Sequence, residues 1–320
     1  MQSYIFRRVL LFIPTMVILS LLVFLFLRII PGDPAELVLG GGVGGSSSFS
    51  QEDLDNVRKA LGTDRPIHVQ YGVWIWDVLR GDFGTSYSGN VSIGKELKDR
   101  IPLTLELSAL AIAISFVLAV PLGVISALTQ DTPFDYLARI VSFVGVAVPN
   151  FVVGIVTIYL LVQLFDWIPP FGYTAPWEGL GKNLEQMIFP ALTLAVFMMA
   201  FIARVTRSSM LEVLREDYIR TARSKGLKER SIVFLHALKN ASLPILTVTG
   251  WGFGILLGGA VIIEKIFVLP GMGAFLVDAI FSRDYPVIQA EVLVIAGMVL
   301  LVNLVIDLLY GFLDPRIRFG

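Results

Sequence analysis

Six long apolar runs dominate the chain, near residues 9–30, 103–128, 137–163, 188–205, 243–263 and 288–312. About 20 apolar residues in a helix cross the hydrocarbon core of a bilayer, where every backbone polar group must be paired within its own segment. The pattern therefore predicts an all-α membrane protein with six transmembrane helices. Composition agrees: 55% of the 320 residues are hydrophobic and 16% are charged, against about 25% charged in soluble domains. The first run follows Arg7 and Arg8 and ends at Pro31-Gly32-Asp33-Pro34. It is longer than the apolar region of a cleaved leader, so it reads as a retained signal anchor.

Lysine and arginine in short loops set orientation. Nine basic residues fall between Arg204 and Lys239, and Arg316 and Arg318 close the chain, whereas 166–187 and 264–287 hold three between them. Both termini are expected in the cytoplasm and 31–100 outside it. That outer segment has seven basic residues, but long loops escape the rule and its acids outnumber its bases. It opens with the flexible Gly40–Ser48 stretch. Ser50 is then placed to cap a short helix through Leu61, ended by Gly62, and Val69–Leu79, with Tyr71, Trp74 and Trp76, suits a helix at the membrane interface.

Much chemistry is excluded. There is no cysteine, and His68 and His236 stand far apart, so no metal site is expected. A net charge of −1 gives no field for nucleic acid. Gly40, Gly42 and Gly45 match a dinucleotide spacing but lack the strand and helix it needs, and Gly89–Lys95 resembles a phosphate loop except that Glu96 replaces the magnesium-holding hydroxyl. The chain has no nucleotide site of its own. It also lacks the residue pairs of an intramembrane hydrolase.

Charges inside a membrane are costly and mark candidate sites. Glu106, Glu264, Glu291 and Asp307 lie near span ends. Glu264 and Asp307 read as structural. Glu106 and Glu291 read equally well as pathway-lining groups or as acids satisfied at the interface. Pro149 frees backbone groups beside Asn150, whose amide either faces a polar cavity or hydrogen-bonds a neighbouring helix.

The basic loop 204–242 carries helical periodicity, with Leu211, Leu214 and Tyr218 on one side, acids preceding bases from Glu216 to Lys225, and Gly226 suited to a left-handed cap. A helix with small Ala222 and exposed Tyr218, Arg220 and Arg223 would dock into a partner's groove. The other reading is a charged loop resting on lipid headgroups.

Here the chain resembles a known family. Glu216-Asp217-Tyr218-Ile219-Arg220-Thr221-Ala222-Arg223-Ser224-Lys225-Gly226-Leu227, with His236, Asn240 and Pro244 following, is similar to the EAA loop of ABC importer permeases of the dipeptide, oligopeptide and nickel group. Further resemblance runs through Leu61–Pro66, Gly81-Asp82-Phe83-Gly84, Glu264–Phe267, Pro270-Gly271-Met272-Gly273, Arg283-Asp284-Tyr285-Pro286 and Asp314-Pro315-Arg316. Arg220-Thr221-Ala222 stands where the general pattern has Glu-Ala-Ala, and the Gly226–Pro244 interval is longer than its shortest form, both as in the peptide branch.

The resemblance implies an anchor helix over 1–30, an extracytoplasmic loop over 31–100, a type-1 ABC transmembrane domain over 101–311 and a cytoplasmic tail over 312–320. It implies a non-catalytic inner-membrane permease whose coupling residues are Glu216 to Arg223 with Lys225, Gly226 and Leu227. Its implied partners are a second, homologous permease, two ATPases that bind ATP and magnesium, and an extracytoplasmic substrate-binding protein. Short peptides are the expected cargo, with nickel, glutathione, opines and haem as alternatives. The rival class is a stand-alone secondary transporter or channel using Glu106, Glu291 or Asp307.

Overall fold

The computed structural model describes residues 2–29, 33–39, 49–89 and 91–313. The Pro31-Gly32 turn, the Gly40–Ser48 linker, Asn90 in the loop resembling a phosphate site, and the tail from residue 314 with Arg316 and Arg318 lie outside them. The described residues are almost wholly helical. In chain order the helices are α1 (Gln2–Ile29), α2 (Pro34–Leu39), α3 (Gln51–Leu61), α4 (Ile67–Leu79), α5 (Ile93–Leu128), α6 (Pro133–Ala147), α7 (Asn150–Phe165), α8 (Leu180–Leu214), α9 (Asp217–Ser224), α10 (Glu229–Ser231), α11 (Leu238–Ile266), α12 (Met272–Ser282) and α13 (Tyr285–Leu313). A π-helical segment, Ile232–Ala237, joins α10 to α11.

Among the described residues five segments are unbroken, long and apolar enough to cross a membrane: Phe6–Phe26, Ile93–Leu128, Leu180–Leu214, Glu229–Ile266 and Tyr285–Leu308. The run at 137–163, expected as one span, is made of two helices, α6 and α7, bent by 103°. Sterics explain the break. The residue before a proline is driven out of the helical region, and Val148 sits at φ −85°, ψ 124°. Pro149, which has no N–H to donate, is also extended at ψ 139°, so two successive residues leave the helix.

The core lies between α5, α8 and α11, where Leu103, Leu107, Met187, Leu194, Met198, Ile202 and Leu256 are buried. Small residues set its tightness. A Cβ on Gly123 of α5 would stand 2.6 Å from the Ala203 carbonyl oxygen of α8, so these two backbones approach to a distance that only glycine allows.

At one end of the bundle, α3 and α4 form as the sequence predicts. The Ser50 hydroxyl accepts from the Glu52 N–H at 3.2 Å, and Gly62 closes α3 at φ 68°. Along α4, Tyr71 and Trp74 pack on Phe24 of α1, with ring centroids 5.4 and 5.6 Å away, and the Tyr71 and Ser20 hydroxyls lie 2.9 Å apart. At the other end α8 continues through Arg204 to Leu214, so the first part of the loop read from Arg204 as helical is an extension of α8, whose C-cap is Arg215.

Candidate functional site

The chain leaves α8 in a turn closed by Arg215 N–H to Glu212 and Glu216 N–H to Val213, and α9 begins. Leu211 and Leu214 thus belong to a different helix from Tyr218. Asp217 in the first turn and Arg223 in the last complement the helix dipole. The helix ends in a Schellman motif: the Gly226 N–H donates to the Arg223 carbonyl at 2.9 Å, the Leu227 N–H reaches the Ala222 carbonyl at 3.3 Å, and Gly226 has φ 78°.

The faces of α9 divide sharply. Ile219 is fully buried in the main core, and Ala222 is half-buried against it. Glu216, Asp217, Tyr218, Arg220, Thr221, Arg223, Lys225, Gly226 and Leu227 are exposed. Arg220 pairs with Asp217 at 3.1 Å and Arg223 with Glu229 at 2.8 Å. Asn240 donates through Nδ2 to the Tyr218 hydroxyl at 2.9 Å and to the His236 carbonyl at 2.8 Å. Ala222, expected to permit close approach to a partner, instead lets α9 lie close to its own protein, so any docking surface is built from the charged and hydroxyl-bearing side chains.

Beneath this end lies a polar junction that sequence reading missed. Arg207 of α8 donates to both carboxylate oxygens of buried Asp135 of α6, at 2.7 and 2.8 Å, and the Ser126 hydroxyl of α5 donates to Asp135 at 2.6 Å. Arg139 adds a contact at 3.2 Å. One carboxylate therefore ties α5, α6 and α8. The local signal was Thr132-Pro133-Phe134-Asp135, a capping sequence at a helix start; Thr132 does cap α6.

The other candidates are dispersed. Half-buried Glu106 accepts the Tyr173 hydroxyl hydrogen bond at 2.5 Å, and burial, followed by the adjacent carboxylate, raises the Tyr173 phenol above its ordinary value. Asn150 starts α7, and its Oδ1 is buried without a hydrogen-bond partner among the described residues, so the expected helix-to-helix bond is not formed there. Glu291 of α13 is fully buried and neither carboxylate oxygen has a partner among the described residues. Glu264 bears out its structural reading: it accepts from the Thr104 hydroxyl at 2.6 Å and the Ala274 N–H at 3.1 Å. Asp307 pairs with Arg8 at 2.7 Å. Among the described residues no group of three or more His, Cys, Asp or Glu side chains is arranged to hold a metal ion.

Residues 119–319 match the family described as "Binding-protein-dependent transport system inner membrane component", and residues 1–108 match "Binding-prot-dependent transport system membrane comp, N-term". The chain belongs to this family. It is a multi-pass permease subunit of an ABC transport system. Relatives of this permease extend over its whole length. The "Dipeptide transport system permease protein DppB" of Escherichia coli (strain K12) is 40% identical, with 99% of each chain covered. The protein of the same name from Alkalihalophilus pseudofirmus is 38% identical, with 100% of each covered. In fold, the permease is similar to a chain of the MetNI methionine ABC transporter in inward-facing conformations. That match has a TM-score of 0.57 and 16% identity, over 68% of this chain and 96% of that one.

Proposed function

We propose that this permease forms half of the translocation pathway of an ATP-driven importer of short peptides. The observation that carries the reading is the full-length likeness, near 40% identity, to two proteins named as dipeptide permeases. In this reading six crossings, with α6 and α7 counted as one, put both termini in the cytoplasm and the 31–100 segment outside. The anchor ends near residue 30, the type-1 transmembrane domain covers 101–311, and 312–320 is the tail.

The exposed side of α9, from Glu216 through Leu227, is the surface that seats on a cytoplasmic ATPase. Two ATPases supply the energy, a second homologous permease supplies the other half of the pathway, and a substrate-binding protein delivers cargo. When ATP draws the ATPases together, each coupling helix moves with them. Because Ile219 and Ala222 are packed into the core, that motion passes to α8 and the bundle as a rigid-body change. Glu106, Asn150 and Glu291 line the pathway, where Asn150 Oδ1 and both Glu291 carboxylate oxygens, unpartnered among the described residues, have ligand or water to meet.

Vesicles holding the assembled complex and binding protein test this. Labelled dialanine should enter only with ATP on the α9 side, and the permease alone should neither hydrolyse ATP nor transport. Uptake by the chain alone under an ion gradient would establish the secondary-transporter class instead, and uptake of nickel without dialanine would change the cargo.

A further inference from the structure

Between the end of α1, the side of α4, the turn at 82–87 and the first turn of α13 lies a cavity of about 390 Å³. Its walls carry two cations, Arg28 and Arg65, and two anions, Asp77 and Asp82. Among the described residues none of these four forms an ion pair. Among the described residues Arg28 hydrogen-bonds only through Nε, to Gln70 at 3.1 Å, and lies over the Phe24 ring; Asp82 accepts the Gly84 N–H at 2.9 Å. In the same wall Gln289 is 8% exposed, and its Nε2 has no hydrogen-bond partner among the described residues. A buried amide donor left unpaired is costly unless something accepts from it.

Opposite charges that share a cavity without pairing suit a ligand that carries both. The volume is at the small end of the range for ligand sites, about 300–1,000 Å³. Trp74 adds an aromatic wall. We propose that this cavity binds the free, zwitterionic form of a short peptide. The peptide carboxylate meets Arg28, Arg65 and the Gln289 amide, and its ammonium meets Asp77 and Asp82. The site rests on the peptide-import reading and adds to it a receiving station beside α13. It recognises the two charged ends of a peptide and tolerates differences in side chain.

Binding of labelled dialanine to the purified full-length chain, held in phosphatidylglycerol nanodiscs, tests the site. Saturable binding is expected, with none for N-acetyl-dialanine amide, which lacks both charges. Arg65→Gln and Asp77→Asn should each weaken it about tenfold or more. Among the described residues neither side chain has a hydrogen-bond or ion-pair partner, so both variants should melt like the wild type. Absence of saturable binding, equal binding of the blocked peptide, or unchanged binding in both variants overturns the proposal. So does a result in which only phosphatidylethanolamine, and not dialanine, stabilises the chain through Arg65 and Asp77, which would make the cavity a headgroup site. Uptake by the assembled complex is measured in parallel. Uptake without binding here rejects this site and leaves the import reading standing, whereas binding without uptake supports the site and rejects import.

Discussion

Glu264 and Glu291 are both fully buried, yet their surroundings differ completely. Glu264 sits against the first turn of α12: it accepts from the Thr104 hydroxyl and the Ala274 N–H, while Thr104 in turn accepts the Met272 N–H at 3.0 Å. Gly271 leaves room for it, since any Cβ there would collide with the Glu264 carboxylate. This acid is the cap of a helix, built from side chains 160 residues apart. Glu291 has no such cage. Depth and residue type alone therefore do not distinguish a structural acid from a functional one; the count of donors around it does.

The largest expected effect follows. Glu264→Ala leaves the Thr104 hydroxyl and the α12 N–H groups without their acceptor, and should lower stability by about 3 kcal/mol. The melting temperature of the assembled complex reads this, and a wild-type value would remove the distinction between the two acids. Thr104→Val deletes one bond to Glu264 and orphans the Met272 N–H, so a loss of about 2 kcal/mol is expected, smaller than that of Glu264→Ala. An equal or greater loss would place the cap on the threonine.

A change at the other end separates conformation from buried charge. Gly226→Val meets no steric neighbour within 4 Å but forces a β-branched residue to φ 78°, at about 1–2 kcal/mol. Transport and substrate-stimulated ATP hydrolysis should fall together while membrane insertion stays normal. Wild-type transport would reduce α9 to a charged anchor. The smallest stability change is expected for Glu291→Gln, which removes no hydrogen bond and exchanges one unpartnered buried polar group for another of the same shape, while lowering transport about tenfold. A clear drop in melting temperature would mean that Glu291 is caged after all.

Local chemistry was legible in the sequence; distant pairing was not. The caps of α3 at Ser50 and Gly62, the aromatic α4 and the end of α9 at Gly226 all rest on residues within one or two turns of each other. Asp135 with Arg207, and Glu264 with Thr104, meet only because the bundle brings together helices far apart in sequence. The inward turn of Ile219 and Ala222 was equally out of reach, since the break at Arg215-Glu216 resets the helical phase that Leu211 and Leu214 suggested. Pro149 was visible, but a proline in a span more often kinks a helix than folds it back; here Val148 and Pro149 are extended together.

That elbow has a consequence in lengths. Helices of 15 and 16 residues are about 22 and 24 Å long, and a straight union of the two would reach about 46 Å. Folded through 103°, their far ends stand about 29 Å apart by the same rise per residue. This chord matches a hydrocarbon core of about 30 Å. The elbow thus gives the pair an end-to-end reach of about one bilayer thickness, which the same two helices laid in a straight line would overshoot by about half.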